Sequence, residues 1–233
     1  MTACSRRVRA RPLGVMAALA GAALSVLVTG VAAWQKPPQE WDGLARITHK
    51  SLEHVYVRPN VDFKTYKRVQ LDPVQVAMDK NWDPNREKVG LSGTLSSTDV
   101  RRIRDELSKM FRDVFAERLS KNGYPLVETS GDDVLLVQAA LTNVYINAPD
   151  DADSRTRSYV MDAGRMTLVM QLVDSVTGQT LARVVDTKQG SNTRGLQWAS
   201  SVTNSAEARK AIGQWADALS KALDAVNGRA AGK

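Results

Sequence analysis

Residues 166–187 read MTLVMQLVDSVTGQTLARVVDT, and this stretch decides the fold. From residue 166 to residue 172 every second side chain is a large apolar one, so one face of a strand carries Met166, Leu168, Met170 and Leu172. Residues 174–179 have the composition of a hairpin turn, with Gly178 available for a positive φ. Residues 180–187 then return as the partner strand. The stretch therefore predicts a long antiparallel hairpin.

A third strand and two helices surround this hairpin in the sequence. Residues 134–146 are rich in β-branched and aliphatic residues and predict a strand. Before them, Ser96 and Asp99 have the spacing of a capping box that begins a helix, which Asn122-Gly123 ends. A second helix ends at Asn227-Gly228, and both helices have one apolar face. The sequence predicts an α+β domain, a largely antiparallel sheet with two long amphipathic helices covering one face.

An edge of the sheet is predicted over residues 65–76. These residues alternate in polarity, but Asp72-Pro73 interrupts the pattern. Because proline is tolerated only at the edge or the end of a strand, this segment is one edge strand or two short strands. An unpaired edge can accept a strand from a partner. The candidate docking edge consists of Val69, Leu71, Val74 and Val76.

The first 33 residues have the pattern of an export signal. Four arginines precede the uncharged run 13–33, which ends in the small residues Val31-Ala32-Ala33. We expect cleavage between Ala33 and Trp34, with Val31 and Ala33 as the recognised positions. The alternative is an uncleaved anchor, because 21 uncharged residues are just long enough to cross a bilayer. Both interpretations predict export, to the periplasm or to the periplasmic face of the envelope.

The domain organisation follows from these patterns. We expect a signal peptide or anchor over 1–33, a tether over 34–43, a single α+β domain over 44–228 and a disordered tail over 229–233. The tether is predicted from Lys36-Pro37-Pro38, which favours extended polyproline geometry. Trp34 and Trp41 either pack on the edge of the domain or lie at the level of lipid headgroups, close to the membrane.

Composition disfavours several classes of function. The chain has 32 Lys and Arg against 25 Asp and Glu, but four of the arginines precede the uncharged run. The domain itself is therefore weakly basic, which disfavours nucleic-acid binding. The single cysteine, Cys4, lies in the export signal, so the exported domain has no thiol for catalysis or metal binding. Neither a glycine-rich phosphate loop nor a hydrolase serine motif occurs, and we predict no catalytic residue and no cofactor.

Candidate metal ligands are few. His49 and His54 are five residues apart, which places them on opposite faces of a strand, so we expect no shared metal ion. Two loops are rich in side-chain oxygen atoms, one over residues 79–87 and the other over residues 147–153. The first departs from the EF-hand pattern, and we interpret both as polar loops. A loose calcium site in the second loop is the alternative.

Short motifs along the chain give a resemblance when taken in order. They are Tyr56-Val57 with Pro59, Asp62-Phe63 with Tyr66, residues 71–74, Trp82, Gly123-Tyr124, Asn147-Ala148-Pro149, Asp174-Ser175 with Thr177-Gly178, and Trp215-Ala216. Their spacing resembles a bacterial family of exported, mostly lipid-anchored envelope proteins known as a domain of unknown function. The resemblance implies an envelope location and a rough architecture, but no catalytic residues. The chain departs from this family at Val31, where the lipidated cysteine would stand.

Three hypotheses for function remain from the sequence. The leading one is a non-enzymatic envelope protein whose domain binds another envelope protein or other envelope component. The second is a periplasmic small-molecule-binding protein, with a pocket near Tyr145, Tyr159 and Trp198. The third is a hydrolase that uses carboxylates such as Asp150 and Asp162.

Overall fold

A computed structural model describes residues 37–83, 96–146, 158–160, 164–190, 197–199 and 201–229. The strands are β1 (Glu40–Trp41), β2 (Leu44–Ile47), β3 (His54–Val57), β4 (Arg68–Leu71), β5 (Gln75–Met78), β6 (Val134–Tyr145), β7 (Ser158–Val160), β8 (Arg165–Asp174), β9 (Thr180–Gln189) and β10 (Gln197–Ala199). The helices are α1 (Ser97–Lys121) and α2 (Ser201–Val226), and Phe63–Thr65 forms a 3-10 turn. The expected cleavage residues Val31, Ala33 and Trp34 lie outside the described residues.

The main sheet has the order β1-β2-β3-β9-β8-β6-β4, and β5 also pairs with β6. The β8–β9 hairpin predicted from the sequence occupies the middle of this order, with Met170 opposite Val184. The pairs are antiparallel except those of β4 and β5 with β6, which are parallel. A separate two-stranded sheet joins β7 to β10. The largely antiparallel sheet predicted from the sequence is confirmed.

Both helices pack on the same face of the sheet. On α1 the buried core residues include Phe111 and Phe115, and on α2 they include Ile212 and Trp215. They meet one face of β8, where the predicted set Met166, Leu168, Met170 and Leu172 is buried in the same cluster. Each large apolar side chain buried in this way stabilises the fold by about 1.5–3 kcal/mol. The predicted α+β class and the predicted packing of both helices on one face of the sheet are confirmed.

The start of α1 agrees with the sequence prediction. The Asp99 amide donates to Ser96 Oγ at 3.2 Å, and the Ser96 amide donates back to Asp99 Oδ2 at 2.9 Å. This reciprocal pair is the capping box, and it satisfies two amides that the first turn of a helix leaves unpaired. At the other end Gly123 has a φ of +82°, which ends the helix.

The predicted tether is wrong over residues 40–43, which belong to the sheet. β1 pairs with β2, and the turn between them has positive φ at Asp42 (54°) and Gly43 (74°). Asp-Gly favours this kind of two-residue hairpin turn, so the sequence carries a local signal for β1–β2 directly after the prolines. Trp41 packs edge-on against Tyr56, with ring centroids 5.6 Å apart, which agrees with packing on the domain edge.

The domain also extends one residue further at its C-terminal end than the sequence predicted. The Arg229 amide donates to the Asp224 carbonyl at 2.9 Å, and its guanidinium lies 5.0 Å from the centre of the Tyr124 ring. Arg229 is therefore part of the domain, whereas the rest of the predicted tail lies outside the described residues. Within the described ranges, no helix has both the length and the apolar character needed to cross a membrane.

Candidate functional site

The candidate docking edge lies at one end of the sheet, as predicted, but its main chain is already paired at Val69. The Val69 amide donates to the Pro125 carbonyl at 3.0 Å, and the Val127 amide donates to the Val69 carbonyl at 2.8 Å. These bonds point away from β6, where an added strand would bind. Strand addition at Val69 was therefore a wrong prediction, because the segment that follows α1 occupies that position.

The remainder of the candidate edge is largely closed as well. Ser108 on α1 donates its hydroxyl to the Val74 carbonyl at 2.9 Å. The side chains of Leu71 and Val74 are buried in the core, and that of Val76 is half-buried. The proline at position 73 separates β4 from β5, so the alternative of two short strands is the correct one. A partner strand would meet short, interrupted segments here.

The opposite edge of the sheet is protected by prolines. β1 has two residues and is preceded by Pro37 and Pro38, which have no amide hydrogen to donate. The Pro38 carbonyl accepts the Tyr56 hydroxyl at 3.1 Å, so it is also engaged. Short strands and proline are common protections against edge-to-edge pairing. A docking mode based on the faces of the sheet therefore fits this domain better than strand addition.

Neither described helix covers the second face of the sheet, here called the outer face. It has two rows of cross-strand neighbours running over β6, β8, β9 and β3. The polar row is Gln138, Gln171, Arg183 and Tyr56; the second row, here called the apolar row, is Ala140, Val169 and Val185 and ends at the polar His54. Gln138, Gln171, Ala140 and Val169 are half-buried, so they retain exposed surface in the centre of the sheet.

Side-chain contacts fix the polar row at both ends. Towards one end, next to Tyr56, Arg183 Nη1 donates to Asp42 Oδ2 at 2.8 Å, and its guanidinium lies 4.0 Å from the centre of the Trp41 ring. At the other end, Gln138 Nε2 donates to Asp72 Oδ2 at 3.0 Å. Arg183 Nε is buried and has no hydrogen-bond partner among the described residues. Contacts within the domain therefore hold the polar row in place.

The motif residues that carry the family resemblance hold the fold together. Trp215 Nε1 donates to Asp186 Oδ2 at 2.7 Å, and the Tyr124 hydroxyl donates to Asp224 Oδ1 at 2.8 Å. Trp82 Nε1 donates to the Ile146 carbonyl at 2.9 Å. These pairs lie in different parts of the domain and join distant segments of the chain. Sequence reasoning found the aromatic residues but missed the buried partners Asp186 and Asp224, for which the local pattern gives no signal.

The Tyr66–Asp174 pair links the start of β4 to the β8–β9 turn. The Tyr66 hydroxyl donates to Asp174 Oδ2 at 2.7 Å, and the Thr177 amide donates to Asp174 Oδ1 at 2.7 Å. The Thr177 amide, followed by the Tyr66 hydroxyl, lowers the pKa of Asp174 below its ordinary value. Burial, followed by Asp174, raises the pKa of Tyr66. The pair therefore favours an ionised Asp174 and a neutral Tyr66 at neutral pH.

This pair predicts an acid-sensitive contribution to stability. A carboxyl group with a lowered pKa in the folded state stabilises the fold above its ordinary pKa of about 3.9, and that contribution is lost as pH falls through the lower folded value. We expect the melting temperature of Asp174→Asn to be lower at neutral pH and to fall less steeply in acid. Thermal melts from neutral pH to about pH 2 test this. Parallel profiles for the two proteins would contradict it.

The candidate metal ligands have other roles where they are described. His49 Nδ1 accepts the Ser51 amide at 3.2 Å, and His54 Nδ1 lies 3.5 Å from Arg46 Nη2. Asp79 accepts Arg165 Nη2 at 2.8 Å and lies against the β5–β6 end of the sheet. Across the described ranges, no group of three His, Asp or Glu side chains could hold a metal ion. The oxygen cluster over residues 147–153 and the candidate carboxylates Asp150 and Asp162 lie outside these ranges.

Two of the residues predicted to line a small-molecule pocket are neighbours. Tyr159 on β7 and Trp198 on β10 are directly paired in the two-stranded sheet. The third, Tyr145, lies on β6, with the Arg165 guanidinium 4.8 Å from the centre of its ring. The structure therefore brings Tyr159 and Trp198 together, while Tyr145 belongs to a separate contact with β8.

A family profile described as "Protein of unknown function (DUF3313)" matches residues 35–219. No curated protein matches the chain in sequence. Solved structures that are similar include a PelC dodecamer from Paraburkholderia phytofirmans (11% identity, TM-score 0.36, covering 71% of this chain and 96% of that one). A minor lipoprotein from Acinetobacter baumannii (13%, 0.31, 69% and 94%) and a DUF4136 family protein from Bacteroides thetaiotaomicron (11%, 0.35, 80% and 98%) are also similar. These likenesses assign no partner or ligand to this chain.

Proposed function

The chain belongs to the DUF3313 family of proteins of unknown function, and we propose that it is an exported envelope domain that binds another envelope protein. The proposed protein catalyses no reaction. This proposal is supported mainly by the polar groups of the motif residues Trp215, Tyr124 and Tyr66, which make contacts that stabilise the fold. The export pattern of residues 1–33 supports the location.

The outer face is the surface that we propose for docking. The edges of the sheet are protected, whereas Gln138, Gln171, Ala140 and Val169 on the outer face keep exposed surface of mixed polar and apolar character. Tyr56 and Arg183 of the polar row are buried, at 0% and 9% exposure, so the contact area comes from these four residues. Protein interfaces combine apolar and polar area in this way. Because the row is broad and held in place by contacts within the domain, a folded protein partner suits it better than a flexible strand. The proposed contact positions are Val169, Gln171, Ala140 and Gln138.

Site-specific crosslinking in intact cells tests this surface. A photoreactive amino acid is placed at Gln171 on the outer face, and in a second variant at Glu117, which is exposed on α1. We expect a discrete crosslinked envelope protein from position 171 and none from position 117. The same partner captured from both positions, or only from position 117, would show that docking does not use the outer face.

A charge substitution tests the same surface independently. Val169 is half-buried between Ala140 and Val185 on neighbouring strands, so Val169→Lys places an ammonium group in the proposed contact area. We expect it to abolish partner capture while leaving the melting temperature nearly unchanged, because the long side chain can reach solvent. The control Glu117→Lys should leave partner capture intact. Capture that survives Val169→Lys would contradict the docking surface.

The small-molecule hypothesis remains the alternative, and the pairing of Tyr159 with Trp198 favours it over the hydrolase. The small-molecule hypothesis depends on Tyr159 and Trp198, the middle residues of β7 and β10, and not on the two rows of the outer face. Crosslinking therefore separates the alternatives: a ligand-binding protein would give no partner from Gln171. The hydrolase has no support from the described residues, since Asp150 and Asp162 lie outside them.

A further inference from the structure

The chain enters the described domain beside an exposed isoleucine. β1 runs antiparallel to β2, with Glu40 opposite Ala45, and the Arg46 amide donates to the Gln39 carbonyl at 2.9 Å. One further step along this register brings Pro38 next to Ile47. The Ile47 side chain is 46% exposed, although it lies on a strand of the main sheet. An exposed apolar side chain therefore marks the point where the domain begins.

One other large apolar side chain among the described residues is exposed, and it provides a contrast. Val176 is 58% exposed and lies in the β8–β9 turn. Single exposed apolar residues are common and need no explanation on their own. The position of Ile47 is different, because it lies beside Pro38, close to the export signal in the sequence. Only residues 34–36 separate Pro37 from the end of the uncharged run at Ala33. At about 3.6 Å per residue, Pro37 cannot be more than about 14 Å from Ala33.

The charges around Ile47 are balanced. Lys50 is exposed and Arg46 is half-buried, while Glu40 on β1 and Glu53 just before β3 are exposed. Net charge therefore gives this edge little attraction to an anionic surface. Arg46 is opposite Tyr56 and so lies on the other face of β2 from Ile47. The long side chain of Lys50 can nevertheless reach phosphate groups while its aliphatic part lies along apolar surface. A surface that offers both apolar groups and phosphate groups would therefore match the side chains at this edge.

We propose that this entry edge, defined as Ile47 with Lys50, contacts the phospholipid headgroup layer of the membrane. The proposal concerns the chain that retains residues 13–33 in the bilayer. One isoleucine is too little to bind a free domain to a membrane, but a short tether raises the effective concentration enough for a weak contact to orient the domain. Ile47 is opposite Val55, which belongs to the helix-covered core, so the outer face stays available to a protein partner.

Environment-sensitive labels on the full chain test this proposal. Cys4 is the single cysteine, so Cys4→Ser gives a background for one labelled cysteine at Ile47→Cys or at Val176→Cys. Each protein is reconstituted in phosphatidylcholine vesicles, with and without lipids that have a nitroxide quencher on the headgroup. We expect the label at position 47 to emit at shorter wavelength and to be quenched. The label at position 176, on the turn, should show neither change.

Three results would overturn the proposal. Equal quenching at the two positions would mean that the domain has no preferred orientation, and quenching confined to position 176 would place the wrong surface at the membrane. Loss of the difference at high salt would show electrostatic adsorption rather than apolar contact at position 47. Unchanged melting temperatures of the labelled proteins provide the control for folding. Because none of these measurements involves a protein partner, the outcome is separate from that of the crosslinking experiment.

Discussion

Replacing Gly164 with alanine is expected to destabilise the domain by about 3–5 kcal/mol, the sum of backbone strain and steric overlap. Gly164 precedes β8 and has a φ of +118°, a conformation that residues with a side chain rarely adopt. An added Cβ would lie 2.1 Å from the Tyr145 carbonyl oxygen and 3.1 Å from the Tyr145 carbonyl carbon. Both are backbone atoms of β6, so β6 or β8 would have to move.

Gly178→Ala is the matched control for this substitution. Gly178 also has a positive φ, of +71°, but a Cβ there would meet nothing within 4 Å. Its replacement should cost about 1–2 kcal/mol, the strain of the left-handed conformation alone. Urea unfolding of the two variants measures the difference. Equal losses would show that the close approach of β6 to Gly164 does not decide the stability.

Local patterns were sufficient to predict the centre of the fold. The alternation from Met166 to Leu172 and the turn with Gly178 depend on neighbours within a few residues, and so does the capping box of Ser96 and Asp99. Each pattern specifies its own segment without information from the rest of the chain. Since the predicted faces are apolar on one side only, the two-layer arrangement followed from them.

Long-range contacts account for what the sequence could not predict. Val69 pairs with residues 125–127, which follow a 25-residue helix, and no local pattern announces that pairing. The edge prediction failed for this reason, because proline shows where a strand is interrupted but not what covers it. The β1–β2 hairpin is different: its Asp42-Gly43 turn was visible in the sequence and was outweighed by the two prolines before it.

In the candidate site, too, local patterns predict some features and long-range contacts determine the others. The outer face follows from alternation, since residues between the core positions of β6, β8 and β9 must point the other way. Which of them line up across strands depends on register, and register joins Gln138, Gln171 and Arg183 into one row. The contact of Arg183 with Trp41 and Asp42 involves a segment some 140 residues away in the sequence, so periodicity could not supply it.

Asp186→Ala is expected to destabilise the domain by about 3–5 kcal/mol, the usual cost of removing one member of a buried charged network. The Asp186 residue is 1% exposed. Its Oδ1 accepts the Glu53 amide at 2.9 Å, and its Oδ2 accepts Trp215 Nε1 at 2.7 Å and lies 2.9 Å from Lys188 Nζ. One carboxylate therefore joins β9 to α2 and to the segment before β3.

The loss arises mainly from the groups left behind. Alanine would leave the Trp215 indole N–H without its acceptor on a residue that is 1% exposed, and the Glu53 amide would also lose its partner. A buried donor without a partner costs about 1–3 kcal/mol, whereas Lys188 can turn towards solvent. Trp215→Phe removes the indole donor, so Asp186→Ala should cost less in that background than in the parent protein.

Asp217→Ala provides a matched control on the surface of α2. Asp217 pairs with Arg118 at 3.2 Å, and both side chains are more than one-third exposed. Exposed pairs contribute about 0–1 kcal/mol, so this variant should unfold at nearly the same urea concentration as the parent. If Asp186→Ala were as mild as Asp217→Ala, the buried carboxylate would not be holding β9 to α2. In that case the packing of Trp215 alone would account for the contact between the helix and the sheet.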